Sequence, residues 1–284
     1  MGGIYWLASY PKSGNTWFRT FLKNLEIDGS APVDINDLST GAIASARGWL
    51  DAVLGFDTAE LSPDEIERLR PYVYQWSLKE DEVGYHKIHD AYTLTKNGKP
   101  MISQEATLGA LYIIRNPLDV ASSLANHNST SVDEAIFQMG SREFALNKSK
   151  KRITTQVRQN LLTWSDHVLS WVDAPHLNCL TIRYEDMISS PLQTFTQSAE
   201  FLKLSSDPEK IAKAIKFSNF KILAGQEKEK GFRETPIKTS RFFRKGKVGG
   251  WQKELTETQI KKIVEDHGTV MQRFGYLSKS GEPL

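Results

Sequence analysis

The sequence predicts an α/β fold, in which helices pack against a mostly parallel sheet. Short runs rich in β-branched and aromatic residues alternate with longer segments of helical apolar spacing, which is the pattern of chains built on parallel strands. No linker rich in Pro, Gly or Ser divides the 284 residues, so we expect one domain over 1–284. The apolar and charged fractions, 39% and 25%, are ordinary for a globular protein and exclude disordered and fibrous classes.

Four strands and six helices follow from these patterns. The predicted strands are Ile4–Ser9, Val83–His89, Leu111–Arg115 and Asn178–Tyr184. The predicted helices are Thr16–Leu25, Leu118–Asn126, Thr154–Val172, Pro191–Leu202, Pro208–Ile215 and Thr256–Arg273. The third helix rests on apolar residues that recur at intervals of three and four, namely Val157, Leu161, Trp164, Val168 and Trp171. Regions 28–60 and 221–250 show no clear period. The second is polar and charge-rich, and it is expected to be a long functional loop or a partly ordered lid.

Charge and cysteine content narrow the possible functions. Lys and Arg (36) nearly balance Asp and Glu (34), and this formal net charge of +2 gives no reason to expect a nucleic-acid partner. The single cysteine excludes a disulfide framework and a Cys-based zinc site, and it fits a reducing compartment. The apolar runs are too short for a membrane span and the N-terminus lacks a signal-peptide pattern. We therefore expect a cytoplasmic protein without a membrane partner.

The first predicted strand runs directly into a segment suited to binding an anion. Pro11 forces a turn after Tyr10, and Lys12-Ser13-Gly14-Asn15-Thr16 leads straight into a helix. Backbone N–H groups and the positive helix end would converge beside a lysine and two hydroxyls, which favours a phosphate or sulfate. The nucleotide P-loop pattern G-x-x-x-x-G-K-[ST] is absent, and no predicted strand ends in an Asp suited to Mg²⁺. The sequence therefore predicts an anion site without a metal.

This loop and three further segments resemble the sulfotransferases that use 3′-phosphoadenosine 5′-phosphosulfate (PAPS). Tyr10–Trp17 is similar to their 5′-phosphosulfate-binding loop, and Ile113–Ser123 is similar to their 3′-phosphate-binding strand and helix. Ile182–Met187 resembles their Tyr-Glu-Asp stretch, Arg244–Trp251 resembles their C-terminal Arg-Lys-Gly signature, and Trp164–Trp171 is a weaker match. The resemblance implies a P-loop-like three-layer sandwich with a central, mostly parallel sheet flanked by helices. It also implies sulfuryl transfer from PAPS, with 3′-phosphoadenosine 5′-phosphate (PAP) as product and no metal.

The resemblance assigns roles to individual residues. Lys12 would stabilise the leaving phosphate. Arg115 and Ser123 would share the 3′-phosphate with the loop 238–247, which holds five cations and no acid. The full set expected to bind the donor is Lys12, Ser13, Gly14, Asn15, Thr16, Trp17, Arg115, Ser123, Tyr184, Ser218, Phe220, Arg244, Lys245 and Gly246.

The acceptor hydroxyl needs a general base, and histidine has a suitable pKa. Of the six histidines, His86 and His89 lie in a polar predicted strand near a lysine. Strand alternation places Lys87 and His89 on one face, and the family carries its base in a Lys-x-His strand end. Both arguments favour His89 as the base with Lys87 beside it contacting sulfuryl oxygens, and His86 is the alternative.

Some features depart from the family pattern or leave alternatives open. Gly249-Gly250-Trp251-Gln252 stands where the family often has Gly-Asp-Trp-Lys, which puts the anchoring of that loop in question, and the animal dimer motif is unmatched. Asn15 and the short N-terminus look more like bacterial sulfotransferases. The acceptor is expected to be a small hydroxylated molecule or an amine. Regions 28–80 and 125–152 are expected to line the site that binds it. The alternatives are a nucleotide or small-molecule kinase using the Lys12 loop, and a non-catalytic anion- or nucleic-acid-binding module using residues 238–247.

Overall fold

The computed structural model describes residues 2–38, 40–79, 81–148, 153–235, 241–244 and 246–284. The chain divides into two compact units, each assembled from three separate segments. The first unit consists of Met1–Tyr10, Gly41–Tyr112 and Ser141–Thr181, and the second of Pro11–Thr40, Ile113–Gly140 and Ile182–Leu284. One domain over 1–284 stays a prediction.

Six strands are interspersed among twelve α-helices in the described part of the chain. The first half holds β1 (Gly3–Ser9), α1 (Asn15–Ile27), α2 (Arg47–Leu54), a 3₁₀ turn (Thr58–Glu60), α3 (Pro63–Trp76), β2 (Val83–Ile88), β3 (Thr107–Ile114), α4 (Pro117–Asn128) and α5 (Val132–Met139). The second half holds β4 (Ala145–Leu146), β5 (Gln159–Asn160), α6 (Trp164–Val172), β6 (Cys179–Arg183), α7 (Tyr184–Ser189), α8 (Pro191–Phe201), α9 (Pro208–Phe217), α10 (Phe220–Lys230), α11 (Trp251–Glu254) and α12 (Glu257–Arg273).

The sheet has the strand order β2-β1-β3-β6. Strands β1 and β2 run parallel, with Gly3 opposite Val83 and Ala8 opposite Ile88. Every residue of β1 is buried, as expected of a strand covered on both faces in a parallel sheet. Helices of the first unit pack on the sheet through aromatic pairs, among them Trp6 of β1 against Tyr74 of α3, 4.9 Å between ring centroids. The predicted α/β class with a central parallel sheet and packed helices is confirmed.

One predicted helix is wrong over its first half. Of the range 154–172, only α6 is helical, and residues 154–163 are extended or turned. In that stretch the Val157 N–H donates to the Ser45 carbonyl at 2.8 Å, and the Leu161 N–H donates to the Phe144 carbonyl at 2.9 Å. Pairing with distant backbone therefore replaces helical hydrogen bonds, and the two apolar side chains are buried without a helix. Apolar spacing alone does not separate these cases.

The predicted loop 221–250 is also partly wrong, because its first third belongs to α10. The Asn219 side chain caps this helix by accepting from the Lys221 N–H at 2.9 Å. Leu223 is the buried residue of α10, so the helix has almost no apolar period by which to be recognised. Residues 236–240 of this region lie outside the described residues.

Within the described residues, no helix combines the length and the apolar character needed to cross a membrane.

Candidate active site

The segment between β1 and α1 has the backbone shape of an anion cradle. Lys12 has a φ of 71° and Gly14 a φ of 101°, both in the left-handed region. Gly14 is the N-cap of the 13-residue helix α1 and provides no side-chain hydrogen bond to its first turn. The first N–H groups of α1 are therefore not satisfied by a cap, and they carry the positive end of the helix dipole. An anion is the partner that such a terminus favours.

Ser13 provides an independent sign of a ligand at this loop. Its side chain is 1% exposed, and its hydroxyl oxygen is buried without a hydrogen-bond partner. A buried hydroxyl that lacks a partner costs free energy. Asn15 and Thr16, the first two residues of α1, are buried as well. The loop therefore fits the phosphate or sulfate group that the sequence predicts.

The Arg115 side chain joins three of the predicted donor-binding segments in the second unit. Its Nη1 donates to the Lys12 carbonyl at 2.9 Å, and its Nη2 donates to the Lys247 carbonyl at 3.2 Å. The guanidinium carbon lies 4.2 Å from the centroid of the Tyr184 ring, a cation–π distance. Trp17 packs edge-on against the same ring, 5.8 Å between centroids. Arg115, Tyr184, Trp17 and the Lys12 loop therefore form one cluster, which we call the Arg115 cluster.

The Lys12 ammonium group lies between two aromatic side chains that the sequence did not single out. Nζ is 4.0 Å from the centroid of the Phe242 ring and donates to His127 Nδ1 at 3.5 Å. Phe242 belongs to the cationic loop 238–247, and His127 lies near the C-terminal end of α4. Its signal was only its place within the 125–152 region assigned to the acceptor. A lysine ammonium can only donate, so Nδ1 of His127 is the acceptor in this contact.

Asp119 anchors the loop that contains the unusual Gly249-Gly250-Trp251 sequence. Its carboxylate accepts from the Gly249 N–H at 2.9 Å and from the Trp251 N–H at 3.0 Å, and the side chain is buried. Charge-assisted bonds to backbone N–H groups are stronger than neutral ones. The segment is therefore anchored by the first turn of α4. The sequence placed Asp119 in the family-like segment, but gave no sign of its partners.

Glu185 fixes the turn that carries Arg115. One carboxylate oxygen accepts from the Asn116 N–H at 3.0 Å, and the other accepts from the Tyr276 hydroxyl at 3.0 Å. Burial raises the pKa of Glu185 above its ordinary value, and these hydrogen bonds act in the opposite direction. The acid of the Tyr-Glu-Asp stretch therefore has a structural task beside the Arg115 cluster.

The remaining predicted donor-binding residues are placed in different ways. The Ser218 hydroxyl donates to the Ala214 carbonyl at 2.9 Å, which occupies it at the end of α9. Gly246 has a φ of 58°, and a Cβ there would collide with the Phe220 ring, so these two predicted residues are neighbours. Arg244 donates to Glu254 at 2.9 Å. Ser123 is half-buried in α4, and Lys245 lies outside the described residues.

His89, in the first unit, follows directly after β2. Its Nδ1 lies 2.8 Å from the Ser9 carbonyl oxygen and 3.3 Å from the Ser9 hydroxyl. A carbonyl only accepts, so Nδ1 carries the proton of the neutral ring and Nε2 is the basic nitrogen. Lys87 is half-buried on the same strand. This is the tautomer that a general base acting through Nε2 requires.

His86, the alternative base, lies in an aromatic environment in the first unit. Its ring stacks on Trp49 with 4.4 Å between centroids, and its Nδ1 lies 2.9 Å from the Ala42 carbonyl oxygen. Burial lowers the pKa of His86 below its ordinary value. The stacking and the closely approaching Gly41 and Gly84 enclose the ring, which favours His89 over His86.

Known proteins are similar to this chain in sequence and in fold. The sulfotransferase domain family matches residues 4–275. Flavonol 3-sulfotransferase of Flaveria bidentis is 24% identical, covering 90% of this chain and 78% of that protein. Cytosolic sulfotransferase 17 of Arabidopsis thaliana is 25% identical, covering 96% of this chain and 76% of that protein. A mouse sulfotransferase complexed with PAP superimposes with a TM-score of 0.58 at 19% identity, covering 98% of this chain and 87% of that one.

These comparisons confirm the P-loop-like α/β sandwich and correct one expectation. The relatives are plant and animal enzymes, so the likeness to bacterial sulfotransferases is not supported. The kinase and the non-catalytic binding module gain no support either. Because the family match extends over nearly the whole chain, from residue 4 to residue 275, the chain belongs to the sulfotransferase family, whose members use PAPS as the sulfuryl donor.

Proposed function

We propose that this enzyme transfers the sulfuryl group of PAPS to a hydroxyl or amine of a small-molecule acceptor by in-line displacement. His89 is the general base, and Lys12 stabilises the leaving phosphate. The observation that carries the proposal is the 2.8 Å contact between His89 Nδ1 and the Ser9 carbonyl, because it makes Nε2 the basic nitrogen. Lys87, two residues earlier, contacts the sulfuryl oxygens.

The donor-binding part of the proposal is supported by the second unit. The uncapped start of α1 and the buried, unpartnered Ser13 hydroxyl suit the 5′-phosphosulfate. The Arg115 cluster, with its guanidinium fork and its two edge-on aromatic rings, suits the adenosine 3′-phosphate part. Ser123, Arg244, Lys245 and Gly246 are proposed to complete the 3′-phosphate site, and Phe220 to contact the adenine. Ser218 is retained as a weaker adenine contact, because its hydroxyl already serves its own helix.

The chemistry depends chiefly on charge. The donor supplies an activated sulfuryl group bound to a phosphate leaving group. Negative charge develops on the bridging oxygen as that bond breaks, and groups placed in advance to meet it lower the barrier. The Lys12 ammonium meets this charge, and its contacts with His127 and Phe242 hold the flexible side chain in place. Removing one such group typically slows turnover about 100- to 1000-fold.

The acceptor proton is taken by His89. Proton transfer to a positioned histidine contributes about 100- to 10,000-fold for weakly acidic alcohols, and it matters less for acidic phenols. The name of the flavonol relative supports a hydroxylated small molecule as acceptor. Regions 28–80 and 125–152, which include His127, are proposed to line the acceptor site. The names of the cytosolic plant relatives support a cytoplasmic location, and we propose that 1–284 acts as one domain.

The test is transfer of ³⁵S from labelled PAPS to two acceptors, an aliphatic alcohol and a nitrophenol. We expect Lys12→Ala to abolish turnover with both acceptors. We expect His89→Ala to abolish turnover with the alcohol and to retain part of it with the nitrophenol, whose hydroxyl needs little help to ionise.

Matched controls separate chemistry from folding. His176→Ala removes an exposed histidine, and Lys261→Ala removes an exposed lysine of α12; both should leave turnover unchanged. Full activity of His89→Ala with the aliphatic alcohol would show that the base assignment is wrong. Transfer of a label from ATP, and not from PAPS, would refute the proposed sulfuryl transfer.

A further inference from the structure

A second histidine contacts the residue proposed as the base. His167 lies in α6 and is fully buried. Its Nε2 is 3.0 Å from the backbone carbonyl oxygen of His89, and its Nδ1 is 2.8 Å from the hydroxyl of Tyr112, also buried. The proposed function gives this side chain no role, so its two short hydrogen bonds require an explanation.

The two partners fix the proton position on the His167 ring. The His89 carbonyl can only accept, so Nε2 carries the proton and donates it. Nδ1 then holds a lone pair, and the Tyr112 hydroxyl donates to it. Burial lowers the pKa of His167 to about 4, so the ring is neutral at physiological pH. The neighbouring Tyr10 ring meets it edge-on at 5.2 Å between centroids, which restricts its rotation further.

Helix α6 holds two successive carbonyls of the segment after β2. His167 and Trp171 are four residues apart and therefore lie on one face of the helix. Trp171 Nε1 donates to the Asp90 carbonyl at 3.0 Å, next to the carbonyl held by His167. The Asp90 carboxylate is held separately by Arg70, at 2.8 and 2.7 Å. Trp171 and Arg70 thus fix the residue after the base, and His167 fixes the base residue itself.

We propose that His167 is a positioning residue for sulfuryl transfer: its Nε2–H holds the His89 carbonyl and so fixes the backbone from which the His89 imidazole extends. This inference rests on the proposed role of His89 as general base. The Ser9 carbonyl orients the His89 ring at Nδ1, and His167 orients its main chain. Tyr112 secures the tautomer in which His167 donates. A base displaced by about 1 Å can lose about 100-fold in rate.

Three variants test the proposal. His167→Gln carries an amide whose N–H can reach the His89 carbonyl and whose oxygen can accept from Tyr112, without a titratable proton. His167→Leu removes both hydrogen bonds. Tyr112→Phe leaves His167 in place but removes the donor that fixes its tautomer, and it serves if His167→Leu does not fold.

The readout is the kcat ratio between the aliphatic alcohol and the nitrophenol, measured with ³⁵S-labelled PAPS alongside the Kd for PAP. We expect the kcat of His167→Leu with the alcohol to fall about 10- to 100-fold. The fall in kcat with the nitrophenol should be several-fold smaller, and the Kd for PAP should not change. Tyr112→Phe should show the same selectivity on a smaller scale, and His167→Gln should keep kcat within about threefold of the original enzyme.

An equal loss with both acceptors in the Leu and Phe variants would overturn the inference, because general damage to the fold does not depend on acceptor acidity. Inactivity of a folded His167→Gln would also overturn it. His89→Ala in the same assay separates the two proposals. If His89→Ala loses activity selectively with the alcohol, whereas the His167 and Tyr112 variants do not, then only the positioning role of His167 fails. If His89→Ala shows no selective loss, the base assignment itself fails.

Discussion

The Tyr184 ring lies so close to Gly14 that a Cβ atom at position 14 would come within 2.6 Å of Tyr184 Cδ2. The same ring also contacts the Arg115 guanidinium, whose central carbon lies 4.2 Å from the ring centroid. The anion loop and the arginine therefore share one aromatic surface, and the loop reaches it because residue 14 has no side chain.

Gly14→Ala should weaken PAP binding by about tenfold or more, equivalent to about 1.4 kcal/mol. The new methyl group must displace the Tyr184 ring, and alanine is also unfavourable at the Gly14 φ of 101° by about 1–2 kcal/mol. We expect the free energy of unfolding to fall by more than about 2 kcal/mol in total. Calorimetric titration with PAP and urea unfolding measure the two effects.

Gly55→Ala is the matched control. Gly55 has a φ of 76°, and a Cβ there would meet no atom within 4 Å. This variant should lose about 1 kcal/mol of stability and keep its affinity for PAP. Unchanged PAP affinity in Gly14→Ala would show that the contact with Tyr184 has no part in donor binding.

Elements with a local signal could be predicted from the sequence. Strand β1 is an apolar run that ends before Pro11, and α12 has a clear N-terminal cap and apolar spacing, so the predicted bounds of both differ from the observed ones by one residue. Residues 154–163 were predicted wrongly because Val157 and Leu161 are buried by pairing with Ser45 and Phe144, which lie far away in the chain. Helix α10 was missed because it depends on a cap rather than on a buried face.

The candidate site shows the same division. Lys12 and Arg115 lie in motifs whose residue types and spacing predict an anion-binding site. Asp119 and His127 act through contacts with residues more than a hundred positions away, and such contacts leave no spacing that a single sequence can reveal. His167 was visible only as part of a weak motif match, and its partners appear only in the folded chain.

Lys12 pays a conformational cost for its position, which leads to a prediction about stability. Its φ of 71° is unfavourable for any residue with a Cβ, by about 1–2 kcal/mol. Lys12→Gly should therefore be more stable than Lys12→Ala by about 1 kcal/mol, although both lack the ammonium group and should be inactive. Urea unfolding of the two variants measures the difference.

In a regular helix, substitution of a lysine by glycine or by alanine should give the opposite order of stability. At Lys261, an exposed position of α12, alanine should be more stable than glycine by about 1 kcal/mol. If glycine were the less stable residue at position 12 as well, the left-handed backbone of the loop would be refuted.

Asp119→Asn should loosen the segment of Gly249 and Trp251. The two backbone N–H groups donate to different oxygens of the carboxylate, and asparagine has an amide nitrogen in place of one of them, so one acceptor is lost. Its N–H₂ group faces the other donor. Because Lys247 in the same segment accepts from Arg115, we expect PAP affinity to fall by about tenfold, about 1.4 kcal/mol. Calorimetric titration with PAP measures this.

Asp133→Asn controls for the change in charge at a helix start. Asp133 lies in the first turn of α5, as Asp119 does in α4, and it accepts from the exposed Gln259 side chain at 2.7 Å. Its substitution should leave PAP affinity unchanged. Equal effects of the two substitutions would assign the loss to the helix dipole rather than to the loop contacts.

His167 should make the folded state sensitive to acid. Burial lowers its pKa to about 4 in the folded chain, whereas an unfolded histidine has a pKa of about 6.5. Between these values the unfolded chain binds more protons, so the free energy of unfolding falls as pH falls, by up to about 3 kcal/mol for this group. The pKa of His86 is shifted in the same direction, but His86 is present in both the original protein and His167→Gln, so its contribution cancels in their difference.

In urea unfolding at several pH values between 7 and 4.5, we expect His167→Gln to gain stability relative to the original protein as the pH falls. Parallel curves would mean that His167 is protonated in the folded state, which is incompatible with an Nδ1 that accepts from Tyr112.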